Sequence, residues 1–225
     1  MLMILFGLAL TLFAYFVATL LYRRVPRPWM NPILTTALAI MAVLVVSRVS
    51  YADYVRGAQV YTWLLQPATV AFAVPLYRYR QLLRRYGLAM LAGVAAGSMS
   101  AVVSSVYFAR WLHLAPAVVT SLVPRSVTTP IAMDISRVIG GVPVMTAVFV
   151  IVTGVLGSVM GPFVLRVLRL RSRVARGALF GVAAHGVGTA RALELGPREG
   201  TVSSLTMILT GLLTVVLAPF LVRML

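Results

Sequence analysis

The sequence predicts an all-α polytopic membrane protein with about six full transmembrane helices and two interrupted or re-entrant helical hairpins, open to an inverted-repeat, elevator-like arrangement. Three observations lead there. Apolar residues make up 61% of the 225-residue chain, and mean hydropathy is +0.99. Several apolar runs approach the twenty or so residues that a helix needs to cross a bilayer. Two of the apolar stretches are broken by clusters of proline, glycine and hydroxyl residues, one at 122–133 and one at 184–191.

Composition excludes most other classes. Only 11% of residues are charged, too few to clothe a soluble domain that buried all of these runs. There are no cysteines, so disulfides and thiol chemistry are absent. Two histidines (His113, His185) and four carboxylates (Asp53, Asp134, Glu194, Glu199) leave little for a metal site, and neither metal nor cofactor is expected. The net charge of +16 comes from arginines, since the chain has no lysine. Most of them stand at the ends of apolar runs, so topology and anionic headgroups account for them better than nucleic acid does.

Taken in order, Leu2 to Tyr22 is a first span without a basic leader or clear cleavage site, and is read as a retained helix rather than a signal peptide. With the basic linker of Arg23, Arg24, Pro26, Arg27 and Pro28 it forms an N-terminal region, 1–30. Residues 31–225 form the main transmembrane domain. Pro32 to Val49 is the second span and a short loop with Asp53 and Arg56 follows. Val60 to Tyr77 is the third span, interrupted by Gln66-Pro67. A second basic cluster holds Arg78, Arg80, Arg84 and Arg85, and Tyr86 to Phe108 is the fourth span. Leu114 to Val138 is the first interrupted segment and Val142 to Leu165 the next span. A third cluster holds Arg166, Arg169, Arg171, Arg173 and Arg176. Gly177 to Leu195 is the second interrupted segment, and Thr201 to Val222 the last span. Gly93 with Gly97, and Gly157 with Gly161, are spaced for close helix packing.

If the three basic clusters share the cytoplasmic face, the crossings between Arg85 and Arg166 must be even in number. Two full spans already lie between them, so 114–138 must enter and leave on the opposite face. Each arm has about ten residues, or about 15 Å of helix, which reaches the middle of a roughly 30 Å hydrocarbon core. The second segment starts from the cytoplasmic side. A re-entrant hairpin is preferred there, and the alternative is a broken helix that crosses as a seventh span.

The breaks suggest what they bind. Pro124 and Pro130 remove backbone donors and break the helix, and such breaks are tolerated at membrane depth only where protein buries them or they line a wet cavity. Thr129 before Pro130 reads as a helix start, with threonine capping and proline in the first turn. Thr189, after Gly186 and Gly188, reads as a second start. Both would aim positive helix ends at mid-membrane, where an anion is favoured. Arg125 adds a formal charge; Ser126, Thr128, Thr129 and His185 can orient a carboxylate or hydroxyl. Gln66, Pro67 and Arg191 complete the candidate set, with His185 or Glu194 as a proton carrier.

Plainer roles compete with these. Arg125 can pair with Asp134 or snorkel, and Arg191 with Glu194 and Asp134 with Arg137 have the three-residue spacing of helix-face pairs. The hydroxyls can satisfy broken backbone, His185 can be a packed histidine, and Gln66 can bond to the backbone freed by Pro67. No zinc-protease, P-loop, EF-hand or dinucleotide pattern occurs, and no carboxylate is placed to orient His185 against Ser126. An enzyme is not expected.

At these residues the chain resembles the LrgB/CidB family. The likeness is carried by Asn31-Pro32, Leu65-Gln66-Pro67-Ala68, the run from Pro124 to Ala132 and the run from Ala184 to Arg191, in order, over roughly Asn31 to Phe220. Lysine is usual in that family where Arg125 stands. The resemblance implies two functions. Plant relatives are glycolate/glycerate translocators of the chloroplast envelope. Bacterial relatives are holin- or antiholin-like proteins that modulate murein hydrolase export and autolysis, usually beside a separate, smaller LrgA/CidA-type membrane protein. The expectation drawn from both lines is a carrier of small 2-hydroxy- or keto-monocarboxylates in the bacterial cytoplasmic membrane, working by alternating access. A homodimer is expected by analogy with elevator carriers.

Overall fold

A computed structural model describes residues 2–25 and 30–224. Of the expected basic linker, Pro26, Arg27 and Pro28 lie outside them. The described chain is helical with no strand, and it divides into two compact units, Met1–Ala71 and Phe72–Leu225.

The first unit holds α1 (Leu2–Arg24), α2 (Pro32–Ser47) and α3 (Tyr51–Val70). Asn31 caps α2 through its side chain, which accepts from the Ile33 amide at 2.9 Å, and Pro32 fills the first turn. Ser50 caps α3, accepting from the Asp53 amide at 3.1 Å. Residues expected to form a loop, Asp53 and Arg56, are therefore helical and pair at 3.3 Å. α1 and α3 pack through glycine: a Cβ on Gly7 would stand 2.8 Å from backbone atoms of Gly57 and Tyr54. Thr11 and Tyr54 share a hydroxyl bond of 2.8 Å at the same crossing.

The third expected span is corrected. Pro67 lies within α3 without ending it, and the helix stops at Val70. Residues 71–72 form a turn, and α4 (Ala73–Arg78) is a separate short helix. A strong cap at Ser50 starts the helix nine residues early, and a helix of twenty residues then ends before Tyr77.

The second unit continues with α5 (Arg80–Trp111), α6 (Pro116–Leu122), α7 (Thr129–Val138), α8 (Pro143–Val167), α9 (Arg173–Leu195) and α10 (Pro197–Met224). Against about six full spans expected, four described helices are long and apolar enough to cross a membrane: α1 from Phe6, α5, α8, and α10 to Phe220. α2, at 16 residues, is apolar but short, and α3 is too polar by composition.

Both interrupted segments fold back. After α6 the chain continues as tight turns, with i to i+3 bonds from Val123 to Thr120, Arg125 to Leu122 and Val127 to Pro124, the tighter pattern that takes over where an α-helix fails. It reverses at Thr128 and returns as α7. The arms are tied at their base by a buried hydroxyl cluster. Ser121 Oγ accepts from the Val142 amide at 2.8 Å, and Thr146 Oγ1 lies 3.0 Å from the Ser121 carbonyl and 2.7 Å from Ser136 Oγ.

α9 breaks at His185, whose φ of 40° and ψ of −129° are not helical. A straight helix would hold Gly188 about 12 Å from Phe180. Instead a Cβ on Gly188 would stand 2.5 Å from the Phe180 carbonyl oxygen. The two arms therefore lie side by side, and α9 is a hairpin with His185 at its tip. α10 runs alongside: Gly177 faces Glu199 and Val202, and Thr189 bonds to Ser203 at 2.9 Å.

Candidate functional site

The two tips meet on one face of α8, on the successive turns of Val150 and Thr153-Gly154. From the start of α8 these residues are about 10 to 17 Å along a helix about 37 Å long, close to the middle of a bilayer core. Val127, just before the first reversal, packs with Val150 and Ala132. The His185 ring, from the second tip, donates through Nε2 to the Val150 carbonyl at 2.9 Å. A carbonyl can only accept, so the proton on this pair sits on Nε2. Gly154 makes the approach possible, since a Cβ there would lie 2.7 Å from His185 Cε1.

Arg125 lies in the tight turns three residues before the first reversal and is half-buried. Its Nε donates to Ser105 Oγ on α5 at 2.5 Å, and its Nη1 to Thr153 Oγ1 on α8 at 3.4 Å. Among the described residues it has no carboxylate partner. Asp134 pairs instead with Arg137 at 2.7 Å, both exposed, which disposes of an Arg125–Asp134 pair. The guanidinium carries five donors, and two neutral hydroxyls leave its charge uncompensated.

Next to it is the start of α7. The capping position belongs to Thr128, one residue before the threonine expected there, with Pro130 in the first turn. Thr128 does not cap through its side chain: its Oγ1 is buried and has no partner among the described residues. Ser126 is buried with no side-chain hydrogen bond among them, and Thr129 is half-buried. A buried hydroxyl without a partner costs about 1 to 3 kcal/mol. The first tip thus presents an uncompensated cation, an open helix start and a hydroxyl with unused bonding capacity. Together these favour a small oxyanion.

At the second tip Gly186 is exposed, and a Cβ on it would meet nothing within 4 Å. The expected cap at Thr189 is corrected: the break falls at His185, and Thr189 lies within the returning arm. Its hydroxyl donates to the His185 carbonyl at 2.9 Å and bonds to Ser203, so it braces the kink rather than starting a helix. Gly188 is covered by Phe180. Arg191 and Glu194 pair with each other and lie six and nine residues beyond His185, about 9 and 13 Å along the arm. Gln66 belongs to the first unit, where it is exposed on α3 with no side-chain hydrogen bond among the described residues; the side-chain bond to backbone freed by Pro67 is not made.

Sequence reading missed three participants. Ser105 stands seven residues after Ser98 on the buried face of α5, a periodicity that could have marked it. Thr153 is one of three hydroxyls on the apolar α8, with Thr146 and Ser158, and gave little signal. The Val150 carbonyl gave none, because a backbone acceptor carries no mark in sequence.

The chain matches the LrgB-like family over residues 11–224. It is 47% identical to the uncharacterized protein YwbG of Bacillus subtilis, over 96% of each chain. It is 32% identical to the antiholin-like protein LrgB of the same organism, over 97% of this chain and 95% of that one. It is 35% identical to the holin-like protein CidB of Staphylococcus aureus, over 95% and 93%. No solved structure matches.

Proposed function

From a membrane protein that belongs to the LrgB-like family, we propose a carrier of small 2-hydroxy- and 2-keto-monocarboxylates, of the glycolate or glycerate kind, in the bacterial cytoplasmic membrane. The observation that carries this reading is Arg125, held by two hydroxyls of the long apolar helices α5 and α8 with no carboxylate beside it among the described residues. A charge at the bilayer centre costs about 2.5 to 3.5 kcal/mol on insertion scales, and an anionic guest offsets that cost. Arg125 and the first amides of α7 would hold the carboxylate; Ser126, Thr128 and Thr129 the 2-hydroxyl or keto oxygen. His185 is the candidate proton carrier. Glu194 is the weaker one, since it is engaged with Arg191. The hairpins would move against a scaffold in an elevator-like cycle, in a homodimer, with no chemical change to the substrate.

A second reading is favoured by the names of two relatives, antiholin-like LrgB and holin-like CidB. On it, this chain sets the threshold of membrane lesions and so modulates murein hydrolase export and autolysis, with a separate LrgA/CidA-like partner. Proteoliposomes separate the two. Saturable uptake of labelled glycolate that Arg125→Ala abolishes is expected of the carrier. Release of unrelated large solutes, unchanged by Arg125→Ala, would sink the carrier and support the lesion.

A further inference from the structure

α5 and the first arm of α9 touch near mid-membrane, where a Cβ on Gly97 would stand 2.5 Å from Val182. Toward their basic ends they diverge. The gap is an apolar groove of about 570 Å³, lined along α5 from Tyr86 to Gly97 and along α9 from Ser172 to Ala183. Its volume lies within the range of about 300 to 1,000 Å³ usual for small-molecule sites. A Cβ on Gly93, midway along it, would meet nothing within 4 Å.

Two features select the occupant. The groove follows α5 from Tyr86 to Gly97, a rise of about 16 Å, which is the depth of one leaflet of a roughly 30 Å core. A helix from another chain would need about twice that length to be covered. The outer end of the groove is strongly basic. Arg85 stacks over Tyr86 with its guanidinium carbon 5.4 Å from the ring centroid. Arg171 and Arg173, exposed, flank the lining residue Ser172. None of these three arginines has a carboxylate partner among the described residues. Glu199, the buried acid beside Gly177, already faces Arg176 at 3.8 Å.

We propose that this groove binds an anionic diacyl phospholipid, one acyl chain lying over Gly93 and its phosphate held by Arg85, Arg171 and Arg173. The apolar lining accommodates the chain, and arginines near the membrane surface attract an anionic headgroup. The lipid would thereby fill the gap between the first arm of the second hairpin and α5.

The test is native mass spectrometry of the full chain with phosphatidylglycerol and phosphatidylcholine in equal amounts. Wild type should retain phosphatidylglycerol at least about tenfold better, the ratio that about 1.4 kcal/mol produces. Gly93→Leu, whose Cβ would meet nothing within 4 Å, should lower retention of both lipids about tenfold with an unchanged melting temperature. Ala89→Leu, on the groove's exposed lining, is the second plug should Gly93→Leu fold poorly. The combined Arg85→Gln, Arg171→Gln and Arg173→Gln change should erase the preference. Equal retention of the two lipids by wild type, or undiminished retention by the plugged variants, overturns the proposal. So does efficient disulfide linkage of two copies through Ala89→Cys in this cysteine-free chain, which would put a second protein in the groove.

Discussion

Arg125 and Thr128 illustrate how unspent bonding capacity marks a binding residue. Arg125 donates to Ser105 and Thr153, two neutral acceptors on different helices, a fork that lysine cannot reproduce. Arg125→Lys should keep a measurable part of glycolate uptake, and Arg125→Ala should reduce it at least a hundredfold in proteoliposomes. Thr128→Val replaces an unpartnered hydroxyl by an isosteric methyl. The melting temperature in detergent should stay level or rise, because the cost of about 1 to 3 kcal/mol for the orphan is removed, while half-saturating substrate rises several-fold. A fall in both stability and uptake would reduce Thr128 to a structural role. His185 combines a positive φ of 40°, a conformation that costs a non-glycine residue about 1 to 3 kcal/mol, with its bond to Val150. His185→Gly relieves the backbone and loses the ring; His185→Ala loses the ring and keeps the strain. The alanine variant should therefore melt lower than the glycine variant, and both should lose uptake.

At the scale of elements, the second hairpin is a matter of glycines placed against backbone. Gly188 lies against the Phe180 carbonyl and Gly177 against that of Glu199, each leaving 2.5 Å for a Cβ. Gly188→Ala forces the arms apart and should cost about 1 to 3 kcal/mol, the usual penalty of overpacking. Gly186→Ala, beside the tip but facing open space, should cost well under 1 kcal/mol in a detergent melt. Equal effects would mean that α9 does not fold back as described. The hairpin's base is tied by Glu199, buried in the first turn of α10, with Arg176 at 3.8 Å. Removing the cation leaves a buried charge without compensation, and loss of one partner of such a pair typically costs about 3 to 5 kcal/mol. The pair is long and Arg176 is about one-third exposed, so Arg176→Ala should fall toward the lower end of that range.

At the scale of the whole molecule, the element order of the second unit predicts which loops share a face. α5 and α8 are each long and apolar enough to cross once, and the first hairpin lies between them in the chain. Single cysteines introduced at His113 and Gly140 should therefore label from one side of the membrane, and those at Arg85 and Arg171 from the other. The chain has no native cysteine, which makes the labelling unambiguous. Labelling of Gly140 from the arginine side would show that 114–138 crosses, and would remove the first tip from mid-membrane.

The sequence by itself determined class, the position of both breaks to within a few residues, and the arginine inside the first one. These are one-dimensional properties: apolar run length, proline's missing donor and a charge out of place in lipid all read directly from the order of residues. The helix-face pairs Asp134–Arg137 and Arg191–Glu194 were legible for the same reason, since three-residue spacing already puts side chains together. Boundaries were less so. Ser50 overrode hydropathy in starting α3, and the kink fell at His185 rather than at the glycines around it because the Val150 carbonyl holds the ring there. Only the tertiary structure decided what Arg125 touches, that the Thr128 hydroxyl has no partner among the described residues, and that the two tips converge on Val150 to Gly154. These are relations between segments twenty to sixty residues apart, set by which surfaces pack most closely, and no local pattern encodes them.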